Sequence, residues 1–272
     1  MRVRDKGEPV SLAHAVGDTA LLQLATKAAH LAGDLLLRGA AAGRPAARTK
    51  SSPADLVTDH DRRSEECVVE LLRTYRPDDG ILGEEGGERP GRSGVRWVVD
   101  PLDGTANFVA GYPAFAVSLA AERAGVVTVG VVHDPCRGET FAAIRGRGAT
   151  CDGRALAASR VDRLAQALIS TGFSSDAEVR DRQAACAARV VRRVRDLRSS
   201  GSAALDLCWV AAGRLDGYYE ADLRPWDRAA GVLIAQEAGA WVGGAAGPPD
   251  DALTLACAPA VAEELRALVG PE

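Results

Sequence analysis

The stretch VVDPLDGTANFVAG, residues 98–111, decides the architecture around which we interpret the rest of the chain. Its apolar run ends on Asp100, and the proline that follows favours a turn that carries Asp103 back toward the first carboxylate. Gly104 permits close approach to the backbone, and a short helix starting at Thr105 would offer amide groups to an anion. The stretch therefore predicts a buried strand, placed over residues 95–100, that ends in paired carboxylates beside an anion-binding turn.

Acidic residues at three other element ends are candidate partners for this pair. They are Asp61 in DLVTDHD, Glu84 and Glu85 in ILGEEG, and Asp227 in RPWDRAAG. Each has an ordinary structural explanation when taken alone. Thr58 and Asp61 fit a helix capping box, the two glutamates fit a solvated loop, and Asp227 fits the first turn of a helix. Asp103 could likewise cap the turn before Thr105.

Their joint occurrence indicates a metal site. Two carboxylates ~4 Å apart repel by about 4 kcal/mol at an effective dielectric of about 20, so a larger group needs a cation or shared protons. Ligand sets made only of oxygen suit a hard divalent ion, Mg²⁺ before Zn²⁺ or Cu²⁺. Metal carboxylates beside a phosphate cradle are typical of phosphoryl transfer or phosphate hydrolysis.

Composition excludes several other classes. The chain has 272 residues, 47% apolar and 26% charged, with a net charge of −4, an ordinary globular balance without the basic footprint of a nucleic-acid or membrane-surface protein. The six cysteines are scattered and form no C-x-x-C pair, which argues against a zinc or redox motif. We expect reduced thiols in a cytoplasmic protein, with no nucleic-acid partner and no membrane span.

The order of predicted elements indicates an α/β (α+β) layered domain. Residues 1–17 are predicted to be a loose N-terminal extension, and residues 18–272 a single domain. Its metal-binding half, 18–157, contains an antiparallel meander, and its αβ half, 158–272, alternates helices and strands. Two finer predictions are an exposed glycine-rich loop after Ile81–Glu84 and a helix over Asp176–Val194.

The chain resembles the inositol monophosphatase family, within the larger group of lithium-sensitive, Mg²⁺-dependent sugar phosphatases. The matching stretches are KSSPADLVTDHD (50–61), ILGEEG (81–86), WVVDPLDGTANFVAGYPAFAVSLA (97–120), SGSAALDLCWVAAGRLDGYYE (200–220) and WDRAAGVLIAQEAGA (226–240). They occur in the family's order and cover most of the chain. The resemblance implies a layered αβαβα sandwich with an antiparallel-rich first sheet and a mixed second sheet, a Mg²⁺ site between the layers, and a homodimer.

The resemblance also implies roles for residues at matching positions. The implied metal ligands are Glu84, Asp100, the Leu102 carbonyl, Asp103 and Asp227. Asp61 and Thr105 would form a hydrogen-bonded pair that, with Glu84 and a metal, activates the attacking water. The implied substrate contacts are the Gly104 and Thr105 amides for phosphate, the Gly201 and Ala203 backbone for the ring, Glu220 for a hydroxyl, and Arg224. Lys50, for which a surface position is the alternative, and Glu85 are further candidates.

The implied activity is Mg²⁺-dependent hydrolysis of inositol 1-phosphate, a small phosphorylated substrate. Histidinol-phosphate phosphatase is the strongest sibling, followed by phosphatases of 3'-phosphoadenosine 5'-phosphate, fructose 1,6-bisphosphate or a pathway-specific sugar phosphate. Arg224 stands where some inositol phosphatases carry histidine, and either favours additional negative charge on the substrate or belongs to the rim. A regulatory binding paralogue is the alternative from a different class, although retention of the acidic set argues for catalysis.

Overall fold

A computed structural model describes residues 17–50 and 52–270, so residues 1–16 of the predicted extension lie outside it. The helices are α1 (Asp18–Ala41), α2 (Asp59–Tyr75), α3 (Thr105–Ala110), α4 (Ala177–Val190), α5 (Ala203–Ala211), α6 (Pro225–Glu237) and α7 (Ala262–Val269). The strands are β1 (Ala47–Thr49), β2 (Leu56–Thr58), β3 (Gly80–Gly83), β4 (Gly87–Arg89), β5 (Val95–Asp103), β6 (Ala116–Arg123), β7 (Val126–Asp134), β8 (Glu139–Ile144), β9 (Ala149–Cys151), β10 (Arg154–Ala155), β11 (Leu168–Thr171), β12 (Asp196–Arg198), β13 (Gly217–Glu220), β14 (Trp241–Gly243) and β15 (Thr254–Cys257).

Two large sheets organise these elements. The first has the order β10-β9-β8-β7-β6-β5-β3-β4 and is antiparallel except for the β3–β5 pair. The second has the order β12-β11-β13-β15-β14, with parallel pairs around β11 and antiparallel pairs around β15. The predicted combination of an antiparallel-rich first sheet and a mixed second sheet is confirmed.

Three apolar clusters show how the layers pack. One joins α1 and α2 to a face of the first sheet, where Trp97 is fully buried. Another fills the space between the two sheets with α5 and α6, and the third packs α4 and α7 on the outer face of the second sheet. Helices and sheets therefore alternate in five layers, which confirms the αβαβα sandwich. Alanine at many α1 and α5 positions lets these layers approach closely with few aromatic residues.

Two local predictions are wrong. The glycine-rich loop after β3 contains the edge strand β4, because Gly87–Arg89 pairs antiparallel with β3. The helix predicted to reach Val194 ends at Val190, and β12 follows it. Gly87–Arg89 finds its hydrogen-bond partners on the edge of the first sheet, and this tertiary pairing overrides the local pattern. After Val190 the chain turns and enters β12, which pairs with β11 on the edge of the second sheet.

No helix within residues 17–50 and 52–270 is long and apolar enough to cross a bilayer.

Candidate active site

The end of β5 carries the two aspartates of the DPLDGT motif. The sequence predicted that the strand ends at Asp100, but it continues to Asp103 through a shift in its register with β6. The shift spans Pro101, which has no amide hydrogen to donate to the ladder. Asp100 is buried, and its Oδ1 accepts a hydrogen bond from the Leu102 amide at 3.0 Å.

Gly104 forms the turn between β5 and α3. Its φ of +94° lies in the left-handed region, which favours glycine. An added Cβ would lie 2.9 Å from the Ala114 carbonyl oxygen and 3.2 Å from that of Gly201. Conformation and space therefore both require glycine here. The short helix α3 begins at Thr105, as the sequence predicts.

The Thr105 hydroxyl contacts the first turn of α2. Its Oγ1 lies 2.8 Å from Asp61 Oδ1 and 3.1 Å from the Leu102 carbonyl oxygen. Asp61 is fully buried, and its Oδ2 accepts hydrogen bonds from the Thr58 amide and hydroxyl at 2.7 and 2.6 Å. The capping box and the Thr105 contact use the same carboxylate, so the structural and functional interpretations of Asp61 are compatible.

Asp103 reaches the N-terminus of α5. Its Oδ2 accepts hydrogen bonds from the Ser202 hydroxyl at 2.6 Å and the Ala204 amide at 2.8 Å. Asp103 therefore caps α5 rather than the turn before Thr105. Sequence reasoning missed this contact because Ser202 lies 99 residues further along the chain.

Lys50 joins the two glutamates of ILGEEG. Its Nζ lies 3.0 Å from Glu84 Oε1 and also contacts Glu85 Oε1. Burial opposes the ammonium charge, but the carboxylates of Glu84 and Glu85 outweigh it and raise the pKa of Lys50. The Lys50 ammonium therefore pairs with both glutamates, while 28% of its side chain remains exposed.

Four carboxyl groups share a buried environment. They are Glu84, Asp100, Asp103 and Asp227. Burial is the largest cause in each case, and it raises the pKa of Glu84 and Asp103 to about 6 and that of Asp227 to about 8. The pKa of Asp100 is raised by burial and then by repulsion from the other three carboxylates. At neutral pH such a cluster favours protons or a bound cation.

The acidic side chains are not arranged as a complete set of metal ligands. Among the described residues, no three or more His, Cys, Asp or Glu side chains form a group that could hold a metal ion. Each acid has another partner: Glu84 pairs with Lys50, Asp100 accepts a hydrogen bond from the Leu102 amide, Asp103 caps α5, and Asp227 accepts a hydrogen bond from the Arg224 amide at 2.7 Å. The four acids therefore lie in one neighbourhood, and at least one oxygen of each contacts another group of the protein.

A cleft of about 460 Å³ opens beside these acids. The predicted residues that line it are Lys50, Glu84, Asp103, Gly201, Ala203, Glu220, Arg224 and Asp227. The predicted residues that do not line it are Asp61, Glu85, Asp100, Leu102, Gly104 and Thr105. The second group is connected to the first through the contacts described above.

Glu220 ends β13 in the wall of this cleft. Its Oε2 accepts a hydrogen bond from the Tyr218 hydroxyl at 2.5 Å. Burial raises the pKa of Glu220 to about 8, which the Tyr218 hydrogen bond opposes. Gly172 faces the same carboxylate, and an added Cβ there would lie 1.9 Å from Glu220 Oε2. The space beside Gly172 is therefore filled by Glu220.

Arg224 lies on the rim of the cleft, immediately before α6. Its guanidinium is 3.8 Å from carboxylate oxygens of Asp222 and Asp251. With 55% of its side chain exposed and two acids nearby, its charge is largely compensated. Of the two interpretations considered for Arg224, this geometry favours the rim position.

Two further polar residues were not singled out from the sequence. Asn107 donates hydrogen bonds to the carbonyl oxygens of Ala114 and Ser200, at 2.7 and 2.8 Å, and so joins α3 to the turn before α5. Asp206 lines the cleft and accepts a hydrogen bond from Ser170 at 2.9 Å, while burial raises its pKa to about 7. Both residues lie inside stretches that match the family, and this position was the only signal in the sequence that pointed to them. Their hydrogen-bond partners are distant in sequence.

Comparisons with known proteins identify the family to which this chain belongs. The model of the inositol monophosphatase family matches residues 18–269. An inositol-1-monophosphatase of Mycobacterium bovis is 46% identical over 240 residues, covering 83% of this chain and 81% of the relative. The Nus factor SuhB of Pasteurella multocida is 43% identical over 224 residues, covering 82% and 84%. The crystal structure of the extragenic suppressor protein suhB from Bartonella henselae superposes with a TM-score of 0.87 at 36% identity, covering 92% of this chain and 98% of that one. This chain therefore belongs to the inositol monophosphatase family.

Proposed function

We propose that this protein hydrolyses a phosphate monoester in a Mg²⁺-dependent reaction, with inositol 1-phosphate as substrate and inositol and phosphate as products. The observation that carries the proposal is the half-buried Asp61–Thr105 hydrogen bond beside the cluster of four acids. Membership of the family supports phosphatase chemistry. The relative named inositol-1-monophosphatase supports the choice of alcohol.

The donor set fits Mg²⁺ by its chemistry. The residues that would hold the ion are Glu84, Asp100, Asp103 and Asp227 through carboxylates, and Leu102 through its carbonyl. These are hard oxygen donors, and the raised pKa values of the buried acids are the electrostatic penalty that a divalent cation relieves. When bound, Mg²⁺ would neutralise charge on the phosphate and acidify the attacking water.

Asp61 and Thr105 would orient that water. The Thr105 hydroxyl donates a hydrogen bond to Asp61. The Thr105 oxygen can therefore accept a hydrogen bond from water. The water oxygen then forms a bond to phosphorus while the bond between phosphorus and the alcohol oxygen breaks. The proton lost by water passes through Thr105 toward Asp61, and the alcohol leaves with a proton from solvent.

The start of α3 and the residues of the cleft would bind the rest of the substrate. The Gly104 and Thr105 amides would hold phosphate at the start of α3, the backbone of Gly201 and Ala203 would face the ring, and Glu220 would accept a ring hydroxyl. We also propose a cytoplasmic homodimer, in accord with the family resemblance.

A phosphate-release panel tests the proposal. With Mg²⁺ present, we expect the highest kcat/KM for inositol 1-phosphate, compared with histidinol phosphate, 3'-phosphoadenosine 5'-phosphate and fructose 1,6-bisphosphate, and inhibition by Li⁺. A single turnover in ¹⁸O-labelled water should place solvent oxygen in the released phosphate. A preference for another ester would show that inositol 1-phosphate is not the substrate. A trapped phosphoenzyme would contradict the direct attack of water.

Gly172→Ala tests the role of Glu220. The new methyl group would occupy the position of Glu220 Oε2 and displace the carboxylate. Loss of a hydrogen bond to the Glu220 carboxyl group should raise KM about twofold to tenfold with little change in kcat. Gly247→Ala, whose methyl group meets no atom within 4 Å, is the matched control. An unchanged KM in Gly172→Ala would argue against Glu220 as a substrate ligand.

A binding role is the second candidate function. It is favoured by one observation, the 43% identity to a relative named Nus factor SuhB. Asp100→Asn separates the two functions, because it should lower hydrolysis by about a thousandfold and leave a role based on protein contacts largely intact.

A further inference from the structure

The first two turns of α2 present a row of buried polar side chains. Asp61, Ser64 and Glu65 lie on one helix face, and each is at most 5% exposed. Buried polar groups need hydrogen-bond partners, and each of these finds one in a different segment of the site. Asp61 contacts the start of α3, as described above. Ser64 and Glu65 have no role in the function proposed so far.

Ser64 holds the turn that carries the aspartate pair. Its hydroxyl donates a hydrogen bond to the Pro101 carbonyl oxygen at 2.7 Å, and both groups are buried. That carbonyl belongs to the same peptide unit as the Leu102 amide, which donates a hydrogen bond to Asp100. The Ser64 hydroxyl therefore ties α2 to the peptide between Asp100 and the Leu102 carbonyl.

Glu65 holds the segment that carries Glu84. Its Oε2 accepts a hydrogen bond from the Glu85 amide at 2.9 Å. The glycines on both sides leave room for this carboxylate: an added Cβ at Gly83 would lie 2.7 Å from Glu65 Oε2, and one at Gly86 would lie 2.4 Å from Oε1. Neither glycine adopts a left-handed φ, so close approach, not backbone conformation, explains why the two glutamates are flanked by glycine.

We propose that Ser64 and Glu65 are positioning residues, which set the distance and orientation of the Asp100–Asp103 turn relative to the Glu84 segment. With Asp61, they make α2 a clamp on three segments, which are the start of α3, the turn at the end of β5 and the residues that follow β3. The inference rests on the proposed Mg²⁺-dependent function, because it concerns the geometry of the same acids.

Mg²⁺ binding measured by titration calorimetry tests the clamp independently of turnover. Removal of a residue that orients metal ligands typically weakens metal affinity 10–100-fold, and we expect about tenfold or more for Glu65→Ala. Glu65→Gln should recover much of the loss, because its amide oxygen can still accept the Glu85 hydrogen bond. Glu66→Ala, which removes the same charge from the exposed neighbouring position, is the matched control.

Gly86→Ala provides a second variant that does not alter α2. Its methyl group would push the Glu65 carboxylate away from the Glu85 amide, and its exposed position favours normal folding. We expect the same weakening of Mg²⁺ binding at temperatures well below the melting point. Wild-type Mg²⁺ affinity in Gly86→Ala or in folded Glu65→Ala would overturn the proposal.

The two proposals fail in different ways. If the wild-type protein releases phosphate with Mg²⁺ but its affinity for the ion does not depend on Glu65, the clamp is wrong and the function stands. If the wild-type protein binds Mg²⁺ in a Glu65-dependent manner but hydrolyses none of the esters, the clamp stands and the proposed function is wrong.

Discussion

Asp100→Asn is expected to lower kcat/KM by about a thousandfold. Asp100 is the buried member of the acid cluster, and it is surrounded by Glu84, Asp103 and Asp227. Substitution by an amide removes the charge that would hold Mg²⁺, and the loss of several kcal/mol of charge stabilisation corresponds to roughly three powers of ten in rate. Steady-state phosphate release measures the effect. Asp162→Asn, at an exposed position, is the control.

The same substitution should stabilise the protein in the absence of divalent ions. Burial raises the pKa of Asp100 above its unfolded value, so the folded state binds the proton more tightly than the unfolded state. The ionised group therefore destabilises the fold at high pH, and this penalty is relieved as pH falls through the folded pKa. Burial likewise raises the pKa of Asp227 to about 8 and that of Glu84 and Asp103 to about 6.

Thermal unfolding in EDTA tests whether Asp100→Asn stabilises the protein at high pH. At pH 8.5, Asp100→Asn should melt above the wild type, by about 2–4 °C for each kcal/mol relieved, and the difference should shrink toward pH 5.5. The Asn side chain can retain the hydrogen bond from the Leu102 amide, so the comparison isolates the charge. A variant with near-normal hydrolysis and an unchanged melting temperature would contradict the assignment of Asp100 to a charged metal site.

Thr105→Val is expected to lower kcat by about 10²–10⁴-fold. Valine has nearly the shape of threonine but cannot connect water to Asp61, and general acid–base assistance typically contributes this factor. The buried Asp61 keeps its two hydrogen bonds from Thr58, so α2 should remain capped. Single-turnover phosphate release at saturating Mg²⁺ and substrate measures the chemical step directly.

Thr105→Ser is the matched control for this substitution. Serine keeps the hydroxyl and should retain kcat within about tenfold of the wild type, since it loses only a methyl group. Equal rates for the serine and valine variants would show that the hydroxyl does not participate. In that case Asp61 would be left with the capping role that the sequence also allows.

The sequence was sufficient to predict the layered fold, the presence of β5 and the helix that starts at Thr105. These features depend on local signals: an apolar strand, a proline turn, and a glycine that adopts a left-handed φ. The edge strands β4 and β12 were missed because they lack such local signals. Their residues have weak local preferences, and the hydrogen bonds of a neighbouring strand decide their conformation.

By itself, the sequence determined which acids and glycines are available and which short segments carry them. Only the tertiary structure decided what each acid contacts: Asp103 caps α5, Lys50 bridges Glu84 and Glu85, and Glu65 holds the segment between two glycines. The physical reason is that a side chain's local partners follow from chain geometry, whereas partners tens of residues away are chosen by the packing of whole layers. The reaction class is therefore visible in short motifs, and the arrangement of the acids depends on the assembled sandwich.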